Sequence, residues 1–154
     1  MAQWIYDNDR AFYAQTIKFD FQQRISYLSP RLYALLAAKW DCENAEQGIC
    51  ALDADPWINA QAGEMLPPRR FELVSSASQT AKVKMTFVFG WQESNSPPPV
   101  HATAFLKFIR NRNTGCWHLD DLIGRDGTSL KAQLTDFVNS DEPSKAGIKP
   151  AHRH

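Results

Sequence analysis

Two of the three cysteines have a spacing that could support a disulfide. Cys42 and Cys50 flank residues 43–49, a polar segment that is typical of a solvent-facing loop. A bridge across so short a loop would stabilise the fold by about 2 to 3 kcal/mol on the chain-entropy model, and it persists only in an oxidising compartment. Spacing alone leaves open the alternative of two free thiols in a cytosolic protein.

The remaining cysteine and the four histidines do not have the spacing of metal ligands. His101 and His118 fall in strand-like segments, whereas His152 and His154 lie at the end of the chain. Cys116 has apolar neighbours, which predict a buried thiol that packs as a small hydrophobic group. Because zinc sites need several cysteines or histidines at short intervals, we expect no metal and no other cofactor.

The carboxylates offer one candidate for acid–base chemistry. Strand alternation places Asp121 on the same face as Leu119 and Ile123, and a carboxylate buried in an apolar pocket can act as a general base. The alternative is a structural aspartate that accepts hydrogen bonds from loop backbone or from an arginine. His118 and Asp120 share the other face, where they favour a solvated pair over a catalytic dyad.

Four further residues of catalytic types are better explained by local structure. Asp53 and Asp55 have the spacing that opens a calcium loop, but the glycine and the distant glutamate that complete such a loop are missing. Ser29 and Ser129 stand where helices begin rather than in a nucleophile elbow. These residues therefore predict turns and helix caps, and we expect the chain not to be an enzyme.

The five tryptophans favour core or interface contacts over a sugar-binding platform, and sugar binding stays an open alternative. Trp91 and Trp117 each share a strand face with apolar residues. Together with Asp121 they define a possible pocket.

Composition limits the classes of function. A chain of 154 residues with 44% hydrophobic residues is long enough for one packed domain and short for two. Seventeen basic residues balance seventeen acidic ones, which argues against nucleic acid as a partner. No apolar stretch has the length of a membrane span. We therefore expect a single domain over residues 1–138, a polar tail over 139–154, and partner recognition by a local surface.

The elements that must position these residues begin with helices. Apolar residues recur every four positions from Tyr13 to Ile25, and Asp7 to Asp9 supply candidate caps for that helix. Ser29 as cap and Pro30 at the first helical position begin a second helix that runs to about residue 41. A third helix closes the fold, with an apolar stripe that includes Leu130, Leu134 and Phe137.

Four strands are predicted between the second and third helices: Phe71–Ser75, Ala81–Trp91, Val100–Arg110 and Cys116–Ile123. The second of these alternates between apolar and polar residues. One face of the sheet is therefore expected to belong to the core and the other to be at least partly exposed to solvent. Pro67 and Pro68 forbid regular structure just before the first strand. The order of elements predicts an α+β fold, with N-terminal helices packed on a curved antiparallel sheet and a C-terminal helix.

Three segments resemble a known bacterial family. They are Ser29-Pro30-Arg31-Leu32, Leu52–Trp57 with its Asp-Pro-Trp sequence, and Trp117–Ile123 with its Trp-x-x-Asp-Asp motif. These segments are similar to the domain of unknown function found in small envelope lipoproteins of the YbjP type, which looks like the nuclear-transport-factor-two and cystatin-like superfamily. The resemblance covers about residues 12–137 and implies a cone-like (cystatin-like) architecture.

The resemblance also implies a periplasmic protein in which Cys42 and Cys50 form a disulfide. The chain lacks a lipidation signal near its start, and Met1–Trp4 does not have the build of a signal peptide. We therefore expect a mature sequence from which the signal peptide has been removed.

The interpretation that follows is a binding protein. By analogy with periplasmic immunity proteins, the partner is expected to be a secreted antibacterial effector of the type VI kind. The residues expected to contact it are Glu43, Asn44, Glu46, Asp53, Asp55 and Trp57. The alternatives are an envelope protein that binds a small ligand and an isomerase-like or dehydratase-like enzyme of the cone superfamily. The oligomeric state is left open.

Overall fold

The sheet of this protein is a simple meander. A computed structural model describes residues 1–7, 27–46, 48–91 and 97–140. Its elements are α1 (Ala2–Asp7), α2 (Pro30–Glu46), β1 (Glu64–Ser76), β2 (Thr80–Gly90), β3 (Val100–Arg110), β4 (Trp117–Ile123) and α3 (Leu130–Ser140). The strands form one antiparallel sheet in the order β1-β2-β3-β4. The predicted α+β class is confirmed, and the cone-like architecture stays a prediction.

The two ends of the chain are described only in part. The predicted helix from Tyr13 to Ile25 and the candidate cap residues 8 and 9 lie outside the described residues, and Asp7 is the last residue of α1. At the other end α3 continues to Ser140, two residues beyond the expected boundary, and residues 141–154 lie outside the description. None of the described helices is both long and apolar enough to cross a membrane.

The core face of the sheet follows the alternation predicted for β2. Met85 and Phe87 are buried, and the register places them opposite Ala104 and Ala102 of β3. Because each large side chain lies opposite an alanine, it can fill the core space above both strands. Helices α2 and α3 pack against each other and against β4, so the helical layer covers that side of the sheet.

Helix α2 begins as predicted and ends later. The Ser29 hydroxyl accepts a hydrogen bond from the Leu32 amide at 3.1 Å, which is the expected N-cap, and Pro30 is the first helical residue. The helix continues past the predicted end near residue 41 to Glu46, because no proline or glycine interrupts it before Gly48.

Strand β1 differs most from expectation. It begins at Glu64 and contains Pro67 and Pro68, which were expected to precede any strand. The pairing with β2 shifts register between Leu66 and Arg70, so the two prolines lie in a bulge. Because β1 is an edge strand, proline is tolerated where no partner strand needs its missing N–H.

The opposite edge of the sheet is covered. Residues 27–29 run parallel to β4, where the Leu119 amide donates to the Tyr27 carbonyl at 2.6 Å and the Ser29 amide donates to the Leu119 carbonyl at 2.8 Å. The segment that leads into α2 therefore closes the β4 edge, while β1 forms the other edge.

Candidate binding surface

The predicted disulfide is present. Cys42 and Cys50 are bonded, and their Cα atoms are 6.2 Å apart. Cys42 lies in the C-terminal part of α2 rather than at the start of a loop, because the helix extends to Glu46. The bridge therefore ties the end of a helix to the segment that follows it, and Cys50 itself is buried.

Two of the residues expected to contact a partner are buried instead. Glu43 is only 4% exposed, and its carboxylate lies 2.6 Å from the buried Lys39 ammonium one helical turn earlier. Trp57 is fully buried and packs edge-on against Tyr6, with ring centroids 5.4 Å apart. The expectation that Glu43 and Trp57 lie on a binding surface is therefore wrong. Helical periodicity turns Glu43 towards the core, and Trp57 has too much apolar area to leave exposed.

Asp55 serves the local backbone. Its carboxylate accepts a hydrogen bond from the Trp57 amide at 2.8 Å, which is the turn geometry that its sequence context predicts. Asp55 is half-buried, so it contributes less to the surface than its neighbour Asp53, which is exposed.

We use the name bridge surface for the exposed residues that lie close to the disulfide in the chain. Its members, each within four positions of a bridge cysteine, are Asp41, Asn44, Ala45, Glu46, Ile49 and Asp53. Ile49 is 76% exposed although it is β-branched and apolar. The prediction included Asn44, Glu46 and Asp53 but missed Ile49. The sequence signal for its exposure was that Ile49 is the one large apolar residue in the polar segment between the two cysteines.

The bridge surface is acidic. From residue 40 to residue 68 the chain has no lysine or arginine and six carboxylates, which are Asp41, Glu43, Glu46, Asp53, Asp55 and Glu64. The C-terminus of α2 points into this region without a basic residue in its last turn. Because a helix C-terminus carries partial negative charge, the helix adds to the field of the side chains. The only cation close by in sequence, Lys39, is already paired with Glu43.

The segment that carries Asp53 is anchored to the loop after β4. Asn59 donates to the Asp126 carboxylate at 2.6 Å, and Thr128 donates to the same carboxylate through its hydroxyl at 2.7 Å and its amide at 3.0 Å. Desolvation raises the pKa of Asp126, but the hydrogen bonds from Thr128 and Asn59 outweigh it and hold the pKa below its ordinary value. This contact limits the movement of the segment between Cys50 and β1.

Asp121 is a structural residue rather than an unpaired base. A register shift after Lys107 inserts Asp120 as a bulge, so Asp121 lies opposite Lys107 and leaves the face of Leu119. Its carboxylate accepts hydrogen bonds from the Ser129 hydroxyl at 2.9 Å and from the Lys131 amide at 3.0 Å. The structural alternative is confirmed, and the predicted apolar face for Asp121 is wrong because alternation ignores bulges.

The neighbouring Asp120 binds the start of the other helix. Its carboxylate accepts a hydrogen bond from the Ser29 hydroxyl at 2.8 Å and pairs with the Lys131 ammonium. His118 Nδ1 donates instead to the Leu28 carbonyl at 3.1 Å. The predicted solvated pair of His118 and Asp120 is therefore wrong, because each side chain has a separate partner.

The predicted pocket is not assembled. Trp91 follows the end of β2 that pairs with the start of β3, and Trp117 pairs with Arg110 at the end of β3. The length of β3 separates these positions by roughly 30 Å at ~3.3 Å per residue. Trp91 packs on Phe89 and Trp117 packs beside Arg110. The two tryptophans and Asp121 therefore do not line one cavity.

Cys116 is exposed in the turn between β3 and β4, which corrects the prediction of a buried thiol. The turn needs polar contacts, and Asn111 accepts hydrogen bonds from the amides of Asn113 and Thr114. Across the described ranges, histidine, cysteine and carboxylate side chains form no group of three or more that could hold a metal ion.

Comparisons with protein-family models, with curated proteins and with solved structures found no match. The resemblance to the YbjP-type domain therefore stays a prediction.

Proposed function

We propose that the protein is an extracytoplasmic binding domain whose bridge surface docks on a basic protein partner, as an immunity protein does when it blocks a secreted antibacterial effector. The observation that carries this proposal is Ile49, which is exposed at the centre of an acidic segment that a disulfide holds in place. A constrained segment loses little conformational entropy on docking, so its contacts contribute more fully to affinity.

The same disulfide supports the proposed extracytoplasmic location. Cys42 and Cys50 are bonded, and such a disulfide is maintained in oxidising compartments such as the periplasm. Mass measurement under non-reducing conditions after periplasmic expression should show the loss of two hydrogens from this pair. A free thiol at Cys42 in the exported protein would contradict the proposal.

The exposed carboxylates of the bridge surface favour a basic partner. Asp41, Glu46 and Asp53 are exposed carboxylates without a lysine or arginine within the same stretch of chain. Such a field accelerates association with a basic surface and repels an acidic one, and it weakens as salt concentration rises. Ile49 supplies the apolar contact that excludes water from the centre of the interface.

This proposal predicts that a neighbouring gene encodes a secreted toxin, and the test is binding to that toxin and protection from it. The purified pair should form a complex whose dissociation constant rises at least about tenfold, or ~1.4 kcal/mol, when Glu46→Lys and Asp53→Lys are combined. Ile49→Ser should also weaken binding, because it removes the apolar contact and leaves the charge of the surface unchanged. Asp136→Lys is the control for a single charge reversal, since Asp136 is an exposed acid on α3 that does not belong to the bridge surface.

Two results would contradict this function. One is the absence of protection when the protein is produced in cells that are exposed to the toxin. The other is a dissociation constant that the charge reversals at Glu46 and Asp53 leave unchanged.

The alternatives receive less support from the geometry. Asp121, the strongest candidate for a general base, is occupied by Ser129 and the Lys131 amide. The tryptophans expected to line a ligand pocket lie at opposite ends of β3. No observation therefore favours the enzyme or the small-ligand carrier over the binding protein.

A further inference from the structure

Strand β1 contains a short regular window on an open edge. Residues 70–73 pair in sequence with β2, from Arg70 opposite Thr86 to Leu73 opposite Val83, and the register shifts on either side of them. In the described part of the chain no backbone hydrogen bond occupies the outer edge of this window, because β1 is the last strand of the sheet. An edge of this kind can accept another strand.

One face of the window is apolar and uncovered. Leu73 is 62% exposed, and Phe71 beside it is half-buried. Both lie on the core face, since Phe71 pairs with the buried Met85. Among the described elements, the helical layer packs over β4 at the far side of the sheet, and Leu73 remains exposed.

The other face of the window carries two opposite charges. Glu72 pairs with Lys84 of β2 at 2.5 Å and remains largely exposed. Arg70 is exposed and has no carboxylate within ion-pair distance in the part of the chain that the structure describes. A strand that ran antiparallel to this edge would meet one positive and one negative side chain, spaced two residues apart.

We propose that two copies of this chain pair through β1, antiparallel, about a two-fold axis at Phe71. In that register Arg70 lies opposite the partner's Glu72 and Glu72 lies opposite the partner's Arg70. Phe71 lies opposite the partner's Phe71, and Leu73 lies diagonal to that ring. The two copies therefore form two cross-strand ion pairs on one face and an apolar cluster of four side chains on the other.

The choice of register follows from the charges. A two-fold axis perpendicular to the sheet pairs only residues that point to the same face, so the axis must pass through a residue. An axis at Arg70 opposes two arginines, and an axis at Glu72 opposes two glutamates. An axis at Leu73 extends the pairing into the irregular segment between Leu73 and Ser75. Phe71 is the centre that avoids opposed like charges and keeps the paired residues 70–72 inside the regular window.

The test is the mass of the protein in solution, measured by light scattering or sedimentation over a range of micromolar concentrations. All variants carry Cys116→Ser, because the exposed thiol could otherwise link two copies covalently. The expected result is a species of twice the chain mass whose population increases with concentration. A monomer at every concentration would overturn the proposal.

A charge exchange tests the register. Glu72→Arg alone places an arginine at position 72 opposite Arg70 of the other copy. Because like charges directly opposite are destabilising, this variant should weaken the dimer by about tenfold or more. The double variant Arg70→Glu with Glu72→Arg restores the complementarity and should recover the dimer. Arg112→Glu, a charge reversal in the exposed β3–β4 turn, is the control and should have no effect.

A dimer that Glu72→Arg leaves intact, or that the double variant does not recover, would overturn the proposed pairing. Circular dichroism of each variant verifies that it is folded. Because the Glu72 side chain is largely exposed, we expect its substitution to leave the fold intact. This inference does not depend on the proposed partner, because the two experiments change different residues.

Discussion

The two edges of the sheet are built in opposite ways. At β4 residues 27–29 complete the hydrogen bonding, and adjacent aspartates tie the edge to the starts of α2 and α3. At β1 no other strand of the described residues pairs with the outer edge of residues 70–73, and Leu73 and Glu72 are largely exposed. The difference indicates that the β4 edge stabilises the fold, whereas the β1 edge is available for contacts with other molecules.

The largest difference is expected from leucine truncation at the two edges. Leu119 is fully buried in β4, so Leu119→Ala should lower the free energy of unfolding by about 3 to 4 kcal/mol. Leu73→Ala at the exposed edge should change it by less than about 0.5 kcal/mol. Urea unfolding at low protein concentration measures both, and equal losses would contradict the comparison.

Removal of the β4 carboxylate should have the next largest effect. Asp121→Ala leaves the Ser129 hydroxyl and the Lys131 amide without their acceptor, which should destabilise the protein by about 2 to 3 kcal/mol. Asp136→Ala on α3 is the control, because that carboxylate is exposed. A loss at Asp121 no larger than at Asp136 would show that the carboxylate does not hold this edge together.

A smaller effect is expected where the β4 edge meets α2. Ser29 caps the helix and donates to Asp120, so Ser29→Ala should cost about 1 kcal/mol in the same measurement. Ser29→Thr retains the hydroxyl and should recover part of that loss. Identical stabilities for the two variants would show that the hydroxyl contributes little.

The smallest effect is expected from the loop that follows β4. The pKa of Asp126 is lowered in the folded protein, so its ionised form favours folding above the unfolded pKa. That contribution is lost as the pH falls below about 4 and passes through the lowered folded pKa. Asp126→Asn should therefore reduce stability slightly near neutral pH and should match the parent protein in strong acid. A constant difference across this pH range would contradict the linkage.

Local signals predicted the elements that local interactions determine. Ser29 and Pro30 marked the start of α2, and the alternation in β2 identified its buried face, because caps and periodicity depend on a few neighbouring residues. The spacing of Cys42 and Cys50 permitted the disulfide without proving it. The periodicity of Leu130 and Leu134 also identified the buried face of α3.

Features that depend on distant partners could not be predicted in the same way. Strand alternation placed Asp121 on the wrong face, because the bulge at Asp120 exists only in relation to β3. Pro67 and Pro68 were excluded from a strand because only the sheet order shows that β1 is an edge. Glu43 was assigned to a loop, although α2 extends far enough to bury its carboxylate beside Lys39.

The sequence by itself determined the class of the fold, the start of α2, the buried face of β2 and the presence of two cysteines that can pair. Each of these depends on the composition and spacing of residues close together in the chain. Only the tertiary structure decided that Ile49 is exposed while Glu43 and Trp57 are buried, and that β1 is an edge strand while residues 27–29 pair with β4. Burial depends on which elements pack together, and that is set by contacts between residues far apart in the sequence.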